Sequence, residues 1–164
     1  MKVTIKSNIN LPKLDKKYKL VVGIINDSFL ASMAKELDQG TDKIIKIPAR
    51  VLKVVPEAIE MGFLEWDGIP SRPFIERTIA LYKHTWGKVL LTTLKSNGFN
   101  MFDALNVLGG VVLEQLKMVV CDESWQHPNS DIWKLFKERT GTDMNPLMHT
   151  HKFLNALKYE VIEI

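Results

Sequence analysis

Two apolar stripes in tandem constrain what this chain of 164 residues can fold into. Within residues 74–95, Ile75, Ile79, Tyr82, Trp86, Leu90 and Leu94 recur at steps of three or four, the spacing of one face of an α-helix. At 1.5 Å per residue that segment predicts a rod of roughly 30 Å. Pro73 suits the first helical position, where its missing N–H has no intrahelical partner, and Asn97 with Gly98 ends the run. Asn100 can then cap a second helix, whose stripe is Phe102, Leu105, Leu108, Val112, Leu116 and Val119. Gly109 and Gly110 interrupt that helix at about 1 kcal/mol each relative to alanine, so a close approach by a neighbouring element is expected there.

The segments around this pair are shorter. Residues 18–25 (YKLVVGII), closed by Asn26 and Asp27, predict a strand of the central sheet. Residues 28–37 set Phe29, Met33 and Leu37 at helical spacing, with Asp27 or Ser28 as cap and Gly40 just past the end. Partial alternation over residues 44–55, with Pro48 unable to donate a ladder hydrogen bond, predicts an interrupted edge strand or hairpin arm. Gly68, Pro70 and Pro73 make residues 62–73 an ordered connection that ends in a helix start. Residues 131–139 predict a short amphipathic helix stopped by Gly141. Thr150 can cap one or two turns through Ala156, and the imperfect alternation of residues 157–164 predicts a closing strand.

These elements predict a single α+β domain over residues 1–164, a small antiparallel or mixed sheet with two long helices packed on one face. Residues 1–17 read as an extended or partly mobile arm. A chain of this length and 46% apolar content can bury roughly two-thirds of its unfolded surface. No run reaches the roughly 18 uninterrupted apolar residues of a membrane helix, so no spanning segment is expected. The lysine-rich start lacks the apolar core of a secretory signal, which predicts that the protein stays where it is made. Cys121 is the sole cysteine; it can form no internal disulfide, and its apolar neighbours predict a buried, inert thiol.

Catalytic patterns are not evident. Neither Gly109-Gly110 nor Gly141 sits in a phosphate-cradling loop, and no G-x-S-x-G turn occurs. Glu57 with Glu60, and Glu65 with Asp67, are expected to be ordinary solvated carboxylates. His149 and His151 flank Thr150, and with His127 or Cys121 they contain zinc-ligand chemistry, but an H-x-H alone names no site. The expected reading has Thr150 capping a helix and both histidines facing solvent or a neighbouring subunit. No catalytic, cofactor or metal residue is therefore assigned. The net charge of +3 is spread out, with Lys13, Lys16, Lys17 and Lys19 near one end, too weak a cluster to predict nucleic-acid binding. Trp86 is expected in the core, and Trp66 and Trp125 are candidate interface anchors.

Residues 64–75 (LEWDGIPSRPFI) resemble the tail-completion, or virion-morphogenesis, proteins of the tailed-bacteriophage neck. That family carries an acidic-aromatic-glycine turn followed by I-P-A-R-P-F. A long helix comes next, then a helix with an A-L-x-x-L-G pattern, matched here by residues 104–109 (ALNVLG). Further on, His127-Pro128-Asn129, residues 146–150 (PLMHT) and residues 154–161 (LNALKYEV) are similar to the family's P-L-x-x-T turn and final strand. The resemblance covers residues 62–161. It departs from the pattern at His151, where a glycine usually follows the threonine, and after Gly68, where a threonine is missing.

The resemblance implies a non-enzymatic α+β subunit of a ring, a hexamer, at the head-proximal end of the tail. It would complete the tail and join it to the head, against connector, terminator and tail-tube proteins, with genomic DNA passing through the lumen. It implies assembly in the host cytoplasm, residence in the virion, no cofactor and no membrane. Interface or loop-anchoring candidates are then Trp66, Arg72, Pro73, Phe74, Trp125 and Thr150. Arg72 offers a planar donor fork for a neighbour's carboxylate, or for Glu65 or Asp67 of its own loop, while Pro70 and Pro73 stiffen that loop and Phe74 anchors it. Rival expectations are a tail terminator, a metal-dependent hydrolase using His127, His149 and His151, and a nucleic-acid-binding factor using the lysines near Tyr18.

Overall fold

The computed structural model describes residues 16–145, 147 and 151–164. In chain order it contains β1 (Tyr18–Ile24), α1 (Ser28–Gln39), β2 (Thr41–Lys46), α2 (Ala49–Val54), α3 (Glu57–Glu60) and β3 (Glu65–Ile69). There follow α4 (Phe74–Ser96), α5 (Met101–Cys121), a 3-10 turn (Glu123–Trp125), α6 (Asp131–Thr140), α7 (Lys152–Ala156) and β4 (Leu157–Glu163). The class is α+β. Strands from the two ends of the described chain pair antiparallel, Tyr18 with Glu163 through to Ile24 with Leu157. A second antiparallel ribbon joins β2 to β3. Most of residues 1–17, Lys13 included, and both His149 and Thr150 lie outside the described residues.

The tandem helices form as their stripes predict, and α5 is the central one, in contact with α4, β1 and β4. Asn100 caps it by accepting from the Asp103 N–H at 3.2 Å. Gly109 lies where the β1–β4 ribbon comes closest: a Cβ there would strike the Tyr159 ring and stand 2.9 Å from the Leu20 Cδ1. Gly110 faces open space, so the close approach explains one glycine of the pair. By length and composition α5 could cross a membrane, although Asp103, Glu114 and Lys117 punctuate it and its neighbours here are protein elements.

The predicted stripe of α4 holds from Tyr82 through Trp86 and Leu90 to Leu94, but in the first turns the buried line is shifted by one residue. Phe74, Thr78 and Leu94 are its fully buried positions, while Ile75 and Ile79 are 48% and 42% exposed. The cause is Phe74, whose ring meets Phe153 edge-on at 5.5 Å and thereby fixes the helix rotation. In α5, Phe102 is exposed, its ring 5.8 Å from that of Tyr18 at the rim of the ribbon.

Three local expectations are corrected. Residues 44–55 do not continue as strand: β2 stops at Lys46 and α2 begins at Ala49. Pro48, at φ −59° and ψ 140°, ends the extended run, and its carbonyl accepts from Val51 and Leu52 to start the helix. Residues 65–69, read as connection, are strand β3. Gly68 at φ +87° allows this, because any Cβ there would strike the Thr41 carbonyl of the paired strand. Cys121 is exposed, not buried, because it is the last residue of α5. Its thiol pKa is pushed up by partial burial and then by Asp143, which keeps it protonated near neutrality.

Two apolar clusters organise the interior. One gathers Phe74, Leu116, Val119, Val120, Leu147, Phe153 and Leu157 around the lower half of α5. The other gathers Val51, Ala58, Ile132 and Phe136 of α2, α3 and α6 with Ile47 and Val55 that flank α2.

Candidate functional site

The C-terminal end of a 21-residue helix leaves its last carbonyls without intrahelical donors, and here side chains from two segments, residues 125–126 and Asn145, supply three of them. Trp125 Nε1 donates to the Val119 carbonyl at 3.0 Å. Gln126 Nε2 donates to Val120 at 2.8 Å, and Asn145 Nδ2 to Cys121 at 3.1 Å and Val120 at 3.3 Å. Asn145 is itself held by Asp143, which accepts from its N–H at 2.8 Å, and its side-chain oxygen accepts from Leu147. The Asn145 amide is bonded through both its nitrogen and its oxygen, whereas Gln126 Oε1 is buried with no hydrogen-bond partner among the described residues.

Arg72 belongs to this junction. It is 5% exposed, and its donors meet main-chain carbonyls: Nε to His127 at 3.0 Å, Nη2 to Pro128 at 3.3 Å and Nη1 to Pro70 at 3.4 Å. Neither Glu65 nor Asp67 accepts from it in these contacts, so the carboxylate pairing expected from the sequence is replaced by a tie between the proline loop and residues 127–128. Lys137, fully buried, donates to the Asn145 carbonyl at 2.6 Å, and burial pulls its pKa down to about 8. The Arg72 charge also acts on Lys137, adding to the lowering of its pKa.

The proline loop is fixed from its other side by α1. The Arg72 N–H donates to Leu37, the Ser71 hydroxyl to the Asp38 carbonyl at 2.6 Å, and the Ile75 N–H to Asp38 Oδ1 at 3.0 Å. Asp38 therefore caps α4 from 37 residues away, because Pro73 precedes the helix and has no side-chain acceptor to offer. Burial, and then the charge of Glu76, raise the Asp38 pKa, while the Ile75 and Phe74 N–H groups oppose the shift. Nothing in the sequence around Asp38 signals this duty.

The remaining candidates are placed as follows. Pro73 occupies the cap position, one residue before the first helical one, and Phe74 is core. Trp125 lies under the Arg77 guanidinium, 5.0 Å from its ring centre. Trp66 stands edge-on to Trp133 at 5.9 Å, its Nε1 buried without a hydrogen-bond partner among the described residues. Trp86 is half-buried and donates to Gln115 at 2.8 Å. Thr150 is outside the described residues, where the cap position of α7 is His151 at φ +56°.

Among the described residues no three His, Cys, Asp or Glu side chains gather as a metal would require. His127 Nδ1 lies 3.0 Å from the Pro128 carbonyl and His151 Nε2 lies 3.7 Å from Asp143, apart from one another in function and partner. A cavity of about 380 Å³ opens between α1, α4, α5 and β1, walled by Ile24, Ala34, Ile75, Ile79 and Leu116 with Asp38 among its few polar groups. A smaller one of about 260 Å³ lies beside Gln126, Asn129 and Lys134. The chemistry assembled at the junction is the holding of main-chain carbonyls. No protein-family model, curated protein or solved structure matches the chain.

Proposed function

We propose that this chain is a structural subunit of a tailed-bacteriophage neck, working in a ring of identical copies that completes the tail and joins it to the head. The observation that supports the reading is a convergence. The stretches resembling the neck family lie at residues 64–75, 104–109, around 127–129 and beyond 145, and described residues of all but the second serve one junction. Arg72 donates to the carbonyls of His127 and Pro128, and Asn129 Nδ2 donates to Met144 beside the last stretch. Phe74, Leu147, Phe153 and Leu157 share one core. An ordered set of motifs that also packs as one unit is more specific to a fold than any single motif is.

On this reading the work is done by surfaces that meet other copies, the connector and the tail tube, in the virion. The test is electron microscopy of phage particles assembled without the protein. Separate full heads and complete tails are the expected result. Tails of abnormal length would assign the terminator role instead, and normal joined particles would end the proposal.

A further inference from the structure

We infer that the turn between α3 and β3 of one copy docks on the outward face of α4 in the next copy, and that this contact builds the ring. The inference rests on the ring reading above. Arg72, Phe74 and Trp125 spend their donors and ring faces inside their own chain, and Trp66 packs on Trp133. Contacts between copies must therefore come from other residues.

The α3–β3 turn offers them. Ile59, Met61, Phe63 and Leu64 are each 50–56% exposed within six residues of chain. Their backbone is held in place: Phe63 N–H donates to Ala58 at 2.8 Å, Gly62 N–H to Ile59 at 3.0 Å, and the Leu64 carbonyl accepts from Ile47 at 2.8 Å. Four large apolar side chains displayed on a fixed turn mark a contact surface. Glu60 and Asp67, both exposed, give it an acidic rim.

The outward face of α4 is its complement in sign and leaves open room at Gly87. Ala80, Gly87 and Leu91 run along it, flanked by exposed Lys83, Lys88 and Lys95, and the sole carboxylate of α4 is Glu76 in the first turn. A glycine inside a helix is unfavourable relative to alanine, and where Gly109 is used, Tyr159 fills the space. At Gly87 nothing of the described chain comes within 4 Å of a built Cβ. A neighbour's large side chain is the occupant that would use that room. Because the two complementary surfaces are different and lie on the same chain, the contact is head-to-tail, the kind that closes rings.

The test uses the full chain and measures assembly mass by sedimentation. Reversal of either side alone, Glu60→Lys with Asp67→Lys or Lys83→Glu with Lys88→Glu, is expected to weaken assembly more than about tenfold by juxtaposing like charges. All four substitutions together should restore it. Gly87→Leu should keep the melting temperature and lose the ring. A wild-type ring that survives both single-sided reversals overturns the docking and leaves the neck reading standing. A wild-type chain that stays monomeric overturns both. Loss of DNA retention in Lys83→Glu with Lys88→Glu, at unchanged ring mass, overturns it by giving the α4 lysines to nucleic acid.

Discussion

Around the C-terminal half of α5 the chain buries Phe74, Leu116 and Val120 on helices of more than twenty residues, joined by Phe153 of the short α7, whereas around α6 it buries Val51, Ala58, Ile132 and Phe136 on helices of four to ten alone. Helices as short as α2 and α3 are not stable on their own, so the second core exists through its tertiary contacts. Trp133 stacks on Phe136 at 5.0 Å and meets Trp66 edge-on, and Arg139 grips Glu57 with two nitrogens at 2.7 and 2.9 Å while also donating to Val54. The first core is written along the helices that form it; the second is written across segments that find one another only in the fold.

The sharpest way to break the first core is Phe74→Ala. Loss of a fully buried ring should cost about 3–5 kcal/mol, and Phe136→Ala in the second core should fall toward the lower end of that range because Trp133 can partly close over the gap. Chemical denaturation of the two variants decides the order. Smaller and opposite in sign are the paired glycines. Gly109→Ala should destabilise by about 1–3 kcal/mol, since Tyr159 must move, while Gly110→Ala, facing open space, should stabilise by about 0.5–1 kcal/mol. Equal effects at the two positions would contradict the close approach of the β1–β4 ribbon.

The Arg139–Glu57 grip distinguishes the second core by pH. The hydrogen-bonded guanidinium holds the Glu57 carboxyl down at about 2, below its ordinary 4.5. The unfolded chain therefore binds the proton first as pH falls, so the stabilisation is whole above about 4.5 and is lost progressively toward about 2. Both side chains are well exposed, so the effect is modest and salt should weaken it. Glu57→Gln should remove this slope from an acid titration of stability and leave the first core's response unchanged.

Periodicity made α4 and α5 legible, and capping residues such as Asp27, Asn100 and Gly141 marked helix ends that the structure uses. It missed which residues the first turns of α4 bury, because the deciding contact, Phe74 on Phe153, spans 79 residues. α2 was hidden by Val51, Val54 and Val55, β-branched residues that favour strands until Pro48 and a tertiary core override them. β3 was hidden by a glycine and two carboxylates. At the junction, Arg72 was legible as a donor fork, but its acceptors are carbonyls, and carbonyls leave no mark in a sequence. Asp38 and Asn145 were missed for the same reason: their partners are main-chain groups brought near by the fold.

The central claim is that the proline-loop motif faces inward as a tie within its own chain, so that in the ring proposed above copies would meet elsewhere. Arg72→Ala tests it most directly, with melting and assembly mass measured on the same sample below the transition. The account predicts a lower melting temperature with the ring mass retained. Unchanged melting with a monomer mass would place Arg72 between copies and contradict it.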